Sequence, residues 1–360
     1  MKTEKFKLSN NKWSFEGENK NANLVLCFGA RNLLNELNFK TIKEQYPNAE
    51  TVTCSTAGEI YDETVSDNSI SGVAIELEKT KIKSIQINIA NFKDSYECGK
   101  HISNNLTASD LQHILVLSDG GLVNGSELVK GINSVKTNNI VVTGGLAGDG
   151  TNFEKTTVGL NGDFGTGNIV CIGFYGNNLI IGHGSKGGWD EFGAERIVTK
   201  STKNVLYELD GKNALELYKT YLGENQVQQL PGSALLFPLS VELENEKTVV
   251  RTILSVDEET QSMTFAGDIP EGAKVKLMRA NFDRLIDGAE DAAEKISATN
   301  TNKPELALLI SCVGRKLILD QRIEEEVEGI KDTFGAETDY VGFYSYGEIS
   351  PLNPNSTCEL

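Results

Sequence analysis

The stretch ILVLSDGGLVNGSELVKGINSVKTNNIVVTGGLAGD (114–149) holds two apolar runs with an amphipathic segment between them. The runs 114–118 and 140–143 are rich in β-branched residues and have the length of buried strands. Between them, Ser126 precedes a segment of helical periodicity and is a good N-cap residue. The pattern therefore predicts a strand–helix–strand unit with its helix over 126–136.

The same alternation of strands and helices extends towards the N-terminus. Short apolar runs predict strands, and apolar residues at a spacing of three to four predict helices. The predicted strands are 24–28, 51–54, 70–77 and 82–89, and the predicted helices are 31–45 and 95–106. This rhythm is typical of α/β folds.

The pattern changes after the first 150 residues. From 156 to 207, short apolar runs such as 179–182 alternate with Gly- and Asn-rich turns, which is typical of antiparallel sheet. The last third returns to strand–helix alternation, with apolar residues at helical spacing over 285–296 and 319–330. The chain therefore mixes both kinds of sheet.

An internal repeat connects the first and last thirds. QINIANF (86–92) resembles VKLMRANF (275–282), and each opens a predicted helix. A strand ending at Ser118 or Ser311 follows, and then a further helix and strand that end in an acid-bearing turn. We therefore expect an α/β (mixed α+β) fold with two pseudo-repeated halves, extended mixed sheets and helices packed outside them.

The composition excludes several classes of partner. Fifty-one Asp and Glu against 34 Lys and Arg give a formal net charge of −17, which repels phosphate backbones and anionic lipid. We expect neither a nucleic-acid nor a membrane partner. No apolar run has the length of a membrane span, and residues 1–23 lack a signal core, so a cytoplasmic location is predicted.

Three strand ends resemble one another. TVTCSTAGE (51–59), VVTGGLAGD (141–149) and VGFYSYGE (341–348) each lead from an apolar strand through small residues and a Gly to an acid. Ligands of open α/β sheets bind beyond the carboxyl ends of strands. Glycines there would let a ligand approach the backbone, and the acids would accept hydrogen bonds from an ammonium group. A zwitterion such as an amino acid suits both parts, whereas the alternative is ordinary turns with capping acids.

Several motifs of catalytic or cofactor sites are incomplete. GHGSKG (182–187) matches a dinucleotide fingerprint in letters, but no helix follows it. GGLAGDGT (144–151) lacks the Lys and Ser or Thr of a phosphate-binding P-loop. The three histidines show no i, i+4 pair and the six cysteines no C-x-x-C pair, so no metal site is predicted.

Two cysteines end predicted strands. Cys54 and Cys312 occupy such positions, and Arg315 could lower the thiol pKa of Cys312 and make it a nucleophile. No histidine lies near either cysteine in sequence to serve as a base, so we expect no enzyme. A thiol-dependent enzyme is the less favoured alternative. Arg315 is instead predicted to bind an anionic ligand group through its guanidinium fork, with a structural salt bridge to 324–326 or Glu348 as the alternative.

Six segments together resemble the FIST sensory family. They are CSTAGEI (54–60), LSDGGLVNGSELVKGIN (117–133), VVTGGLAGDG (141–150), VLYELDGKNALELYKTYLG (205–223), SCVGR (311–315) and GFYSYGEISP (342–351). The resemblance implies a FIST N domain over 24–212 and a FIST C domain over 213–360. It also implies a small-ligand sensor of signal transduction that binds an amino acid or a similar small polar metabolite without turnover.

The resemblance also assigns site residues and partners. The ligand-binding residues that it implies are Cys54, Ser55, Gly58, Glu59, Gly144, Gly145, Asp149, Cys312, Arg315, Gly347 and Glu348. It implies a signalling output such as a histidine kinase, a diguanylate cyclase or a chemotaxis transducer. Family members commonly continue beyond NST (355–357) with another strand, so either the natural chain is longer or a separate protein carries the output.

Some members of the family resemble haem-binding nitric oxide sensors, which gives an alternative function. His183 lies in an open glycine-rich loop and is the candidate axial ligand, with Trp189 and Phe192 as one wall of the pocket. The other interpretation of His183 is an exposed loop residue. Without haem, no cofactor is expected.

Overall fold

The computed structural model describes residues 1–135, 140–230, 232–243, 247–299, 302–351 and 358–360. NST (355–357) and the last residue of the predicted helix 126–136 lie outside this part of the chain.

The strands of the first half are β1 (Lys2–Ser9), β2 (Lys12–Phe15), β3 (Leu24–Gly29), β4 (Glu50–Ser55), β5 (Glu59–Tyr61), β6 (Thr64–Ser66), β7 (Ile70–Glu76), β8 (Lys81–Asn88), β9 (Leu111–Ser118), β10 (Val141–Leu146), β11 (Val158–Leu160), β12 (Asp163–Gly165) and β13 (Asn168–Tyr175).

The second half also contains more strand than helix. Its strands are β14 (Trp189–Thr202), β15 (Val205–Leu209), β16 (Lys212–Asn213), β17 (Leu239–Leu243), β18 (Lys247–Arg251), β19 (Ile253–Asp257), β20 (Ser262–Phe265), β21 (Lys274–Ala280), β22 (Leu306–Cys312), β23 (Asp339–Ser345), β24 (Gly347–Pro351) and β25 (Cys358–Glu359). The α-helices of the described residues are α1 (Glu36–Gln45), α2 (Ser95–Leu106), α3 (Gly125–Val135), α4 (Ala214–Leu222), α5 (Glu224–Val227), α6 (Phe282–Thr299), α7 (Val313–Leu319) and α8 (Ile323–Phe334).

The strands form four sheets. The first has the order β12-β11-β4-β3-β7-β1-β2 and the second the order β25-β24-β10-β9-β13-β8. The third runs β18-β17-β21-β14-β15-β20-β19, with β16 beside β15, and the fourth runs β22-β23-β5-β6. Parallel pairs such as β3–β4, β9–β10 and β22–β23 lie among antiparallel ones, which confirms the mixed fold class.

The first two sheets pack on each other through apolar side chains that alternate along their strands. Leu26 and Phe28 of β3 share one buried cluster with Leu115 and Leu117 of β9. The fourth sheet closes one side of this sandwich, where the ring of Phe343 stacks on Phe28 with 4.7 Å between centroids. The carboxyl ends of β4, β10 and β23 are thereby brought close together.

The repeated segments share an order of elements and differ in sheet placement. Residues 81–146 run strand, helix, strand, helix, strand, and residues 274–345 do the same with an extra helix, α7. In each segment the second and third strands pair in parallel. The first strands differ, because β8 belongs to the sheet of β9 and β10, whereas β21 belongs to a different sheet from β22 and β23.

Three local predictions were wrong. Helix α3 is capped by Asn124, whose Oδ1 accepts a hydrogen bond from the Glu127 N–H at 3.1 Å, and Ser126 lies inside the helix. The periodic pattern over 319–330 spans two helices, because Asp320 adopts a φ of 44° and ends α7. Residues 179–182 form no strand; they begin an irregular segment, 179–188, that packs beside α6.

Candidate functional site

Cys312 is the last residue of β22, immediately before α7. The backbone N–H groups of Gly314 and Arg315 bond to its sulfur. The residue is partly exposed, but its surroundings are dry enough that burial raises the pKa of the thiol to about 12, and the charge of Glu348 adds to this shift. The thiol is therefore protonated near neutral pH.

Arg315 lies on α7 and is buried, with its guanidinium partly satisfied by the protein. Its Nε donates to Glu326 Oε1 at 2.6 Å, and its Nη2 donates to the carbonyl oxygen of Leu285. Glu326 also accepts from the Tyr344 hydroxyl at 2.9 Å and from Ser311. The salt bridge to 324–326 considered from the sequence is therefore present. Among the described residues, no hydrogen bond uses the third nitrogen, Nη1.

Glu348 is partly buried on β24, opposite Gly145 of β10. Burial raises the pKa of the Glu348 carboxyl to about 7, against the opposing effects of a Ser345 hydrogen bond and the positive charge of Arg315. The Ser345 hydroxyl donates to Glu348 Oε1 at 2.5 Å. The charge of Glu348 raises the pKa of the Cys312 thiol, and the charge of Arg315 lowers the pKa of the Glu348 carboxyl. We call Cys312, Arg315 and Glu348 the junction cluster.

Backbone hydrogen bonds hold the three acid-bearing turns together. The Gly148 N–H donates to the carbonyl of Ser55 at 2.9 Å, which joins the first turn to the second. Ala57 donates to the Tyr344 carbonyl at 2.8 Å, and Tyr344 donates back to Gly58 at 2.9 Å, which joins the first turn to the third. The residues singled out from the sequence therefore lie in one region of the fold.

The glycines of these turns face protein atoms rather than open space. A Cβ on Gly144 would lie 1.8 Å from the Val116 carbonyl oxygen, and one on Gly145 would lie 2.8 Å from Ile310. Gly58 faces the end of the Lys316 side chain in the same way, and Gly347 faces Leu146. Close packing thus accounts for the absence of side chains at Gly144 and Gly145, whereas the positive φ of 143° favours glycine at position 58.

The first two turns bury their polar groups in local hydrogen bonds. Ser55 Oγ accepts from the Thr157 N–H at 2.8 Å, and burial holds the pKa of the neighbouring Cys54 thiol well above its usual range. Glu59 is 2% exposed and accepts from Thr56, and from Ser69 through both its N–H and its hydroxyl. Burial raises the pKa of the Glu59 carboxyl to about 7.

Asp149 organises the loop that follows it. Its carboxylate accepts from the backbone N–H groups of Phe153, Glu154 and Lys155 at 2.9–3.1 Å. The Tyr346 hydroxyl donates to the same carboxylate, so this side chain also joins the second turn to the third. Both Asp149 oxygens are already engaged, which matches the capping role considered from the sequence.

Family models account for nearly the whole chain. The model of the FIST N domain matches residues 23–212, and that of the FIST C domain matches residues 214–351. The chain belongs to the FIST family. FIST domains are associated with sensory signal transduction.

One curated relative of this FIST chain is an uncharacterized protein of Methanocaldococcus jannaschii. The two are 26% identical over 241 residues, which is 58% of this chain and 45% of the relative. The FIST chain thus spans less than half the length of the curated relative that it matches. In the described residues, no helix combines the length and the apolar character needed to cross a bilayer.

The residues predicted to surround haem make contacts with other parts of the protein. Phe192 packs edge-on against Phe237 in the core of the third sheet, and Trp189 lies beside Gly314. His183 is partly buried, and its Nδ1 has no hydrogen-bond partner among the described residues. Haem binding stays a prediction.

His113 is buried within β9. Its Nε2 lies 3.0 Å from Thr143 Oγ1. Burial lowers the pKa of His113 to about 3, and the nearby His183 contributes to the shift. The described part of the chain holds no group of three His, Cys, Asp or Glu side chains placed to bind a metal ion.

Sequence reasoning missed several polar groups of the site. Ser345 and Tyr346 lie within the YSYGE turn, so their position beside Glu348 was visible in the sequence. Tyr344 and Ser311 end apolar strands, where nothing in the pattern distinguishes a hydroxyl that bonds Glu326 from a core residue. Only the fold brings these hydroxyls to the same carboxylate.

Proposed function

We propose that this FIST chain is a sensory module that binds a small zwitterionic ligand, of the amino-acid class, at the junction cluster. The observation that carries the proposal is that Arg315, whose Nη1 is used by no described residue, acts electrostatically on the carboxyl of the partly buried residue Glu348 in the same cluster. A ligand carboxylate would bind Nη1, and its ammonium group would bind Glu348.

The rest of Arg315 is held in place before any ligand arrives. Glu326 and the Leu285 carbonyl fix the guanidinium through Nε and Nη2. A preorganised donor loses less conformational entropy on binding than a mobile one, which favours affinity. The same contacts join α7 to α6 and α8, so ligand binding at Nη1 acts directly on the packing of three helices.

Binding without turnover agrees with the chemistry of the cluster. The pKa of Cys312 is about 12, so the thiolate that nucleophilic catalysis requires is scarce at neutral pH. We infer a cytoplasmic protein that passes its signal to a signalling output such as a histidine kinase, a diguanylate cyclase or a chemotaxis transducer.

A thermal-shift screen against amino acids and small metabolites, followed by calorimetric titration, tests the proposal. A ligand at 100 times its Kd stabilises the fold by about 2.7 kcal/mol. Arg315→Lys keeps the charge but removes the guanidinium fork, so affinity should fall about tenfold or more, whereas Arg196→Lys at a surface ion pair should leave it unchanged.

The pH dependence of binding provides a second measurement. Ionised Glu348 attracts an ammonium group and protonated Glu348 does not, so affinity should rise as pH increases through about 7. In Glu348→Gln this rise should disappear. Equal affinity in wild type, Arg315→Lys and Glu348→Gln would reject the junction cluster as the site, and steady product formation from the ligand would reject a pure sensor.

A further inference from the structure

An open cleft lies at the start of α6. It has a volume of about 300 Å³ and is lined by residues 279–283 together with Asp190 and Arg322. This volume is at the lower end of the range for small-molecule sites. The cleft is separate from the residues that hold Arg315, although Leu285, which accepts an Arg315 hydrogen bond, follows one helical turn later.

Arg279 lines this cleft without an acidic partner. Asp190 lies directly opposite Arg279 in the pairing of β14 with β21, where a cross-strand ion pair would be expected. The Asp190 carboxylate instead pairs with Arg284 Nη1. No hydrogen bond or ion pair formed by the described residues uses the Arg279 guanidinium, so all five of its N–H donors are available.

Two neighbouring side chains also have unused donors. Arg322 bonds Asp283 and Glu325 through Nε and Nη2, and none of these bonds uses its Nη1. Asn281 Oδ1 accepts from the Arg284 N–H at 3.3 Å, and within the described contacts its amide N–H₂ group donates to no protein atom. Three side chains therefore present spare donors to one cleft.

The ring of Phe282 gives the cleft an apolar surface. This side chain is 48% exposed, so its ring is accessible to a ligand in the cleft. The formal charges of the lining residues balance, since Asp190 and Asp283 offset Arg279 and Arg322. Directed hydrogen bonds, rather than attraction by a net charge of the cleft, would therefore select the ligand.

We propose that this cleft binds a small oxyanion, a carboxylate or phosphate group, through Arg279, with Arg322 Nη1 and Asn281 as additional donors. A guanidinium presents parallel N–H groups that match two oxygens of either anion. A planar apolar part of the ligand packs on Phe282. This site is distinct from the junction cluster and does not depend on the function proposed for it.

Tryptophan fluorescence can report on the cleft. Trp13 and Trp189 are the two tryptophans of the chain, and Trp189 pairs with Ala280 in the cleft wall. A Trp13→Phe protein, with Trp189 as its single tryptophan, is titrated with sodium phosphate, sodium acetate and sodium benzoate at constant ionic strength set with sodium chloride. We expect a saturable change with phosphate or with the carboxylates, and these two results distinguish the class of oxyanion.

Two arginine variants separate specific binding from charge screening. Arg279→Gln should weaken binding about tenfold or more, as expected for the loss of hydrogen bonds to a charged group. Arg31→Gln makes the same change of charge at another exposed arginine without an ion pair among the described residues, and it should have no effect. Equal weakening by both variants, or no saturable change with any of the three salts, would overturn the proposal.

Trp189 also lies beside Gly314, so the junction cluster needs its own control. Arg315→Lys should leave the oxyanion titration unchanged if the ligand binds at Arg279. Binding that is weakened in Arg315→Lys and retained in Arg279→Gln would place the anion at the junction cluster and refute a second site. If benzoate binds, Phe282→Ala should reduce its affinity to that of acetate.

Discussion

Arg315 shows how one side chain can serve both the fold and a ligand. Glu326 and the Leu285 carbonyl occupy two of its nitrogens, which stabilises a buried cation that would otherwise be costly. The third nitrogen is used by no described residue. The structural role and the proposed binding role are therefore compatible, because they use different atoms of the same group.

The buried carboxyl of Glu59 should make the stability of the folded protein depend on pH. Its pKa is about 7 in the folded protein, whereas the ordinary value is 4.5, so between these pH values the folded state holds a proton that the unfolded state has released. Stability must then fall as pH rises through this window, by roughly 3 kcal/mol for this group. In Glu59→Gln that contribution is absent.

Urea unfolding of wild type and Glu59→Gln at pH 5 and pH 7.5 measures this difference. The stability of the variant relative to wild type should increase towards the higher pH. Glu36→Gln, at an exposed position in the first turn of α1, is the matched control and should keep a constant difference. A constant difference for Glu59→Gln as well would show that the Glu59 carboxyl is not protonated in the folded protein at pH 5–7.

At the scale of elements, the glycine-rich segment 179–188 is explained by its packing on α6. A Cβ on Gly184 would lie 1.9 Å from the Ala292 carbonyl oxygen, and one on Gly188 would lie 2.4 Å from that of Arg284. Lys295 donates to the Ser185 carbonyl at 2.7 Å and adds a further tie to the helix. Within the spacing that resembles a nucleotide fingerprint, Gly184 is thus explained by the close approach of this segment to the helix, whereas Gly187 is not.

Gly184→Ala should therefore destabilise the protein. The new methyl group meets backbone, which cannot move aside alone, and overpacking of this kind costs about 1–3 kcal/mol. Gly187→Ala is the matched control, because a Cβ there meets no atom within 4 Å. Chemical denaturation measures both variants, and equal stabilities would contradict the packing explanation.

Elements with strong local signals were predictable from the sequence. Helix α2 occupies the predicted 95–106 because its apolar face and its Asp94 cap are local features. The roles of Gly145 and Arg315 depend on Ile310 and Leu285, which are distant in sequence, so no local pattern could reveal them. The three acid-bearing turns were visible as similar segments, whereas their mutual hydrogen bonds required the fold.

At the scale of the whole molecule, the two family segments share their sheets. Strand β24 pairs with β10, β23 with β5, and β21 with β14, so each pairing crosses residue 212. The core cluster that contains Phe28 of β3 also contains Phe343 of β23. Neither segment therefore keeps all of its strand partners when it is separated from the other.

A fragment experiment checks this dependence. Residues 1–212 and 213–360 produced separately should each lack a cooperative thermal transition, because exposed strand edges and an incomplete core remain. Mixing the fragments should restore a transition, and the intact chain should unfold in one step with equal calorimetric and van't Hoff enthalpies. Cooperative unfolding of either fragment alone would contradict an interdependent fold.

The pairing of β23 with β5 also constrains how genes can rearrange this protein. A recombination breakpoint near residue 212 would separate strands that pair with each other. The two segments should therefore be inherited together as one unit, which we call the cassette. Exchange of either segment between distant homologues should yield chimaeras that fold only when the cross-sheet contacts are exchanged with it. New signalling partners are then expected to arise by fusion outside the cassette or by changes on its surface.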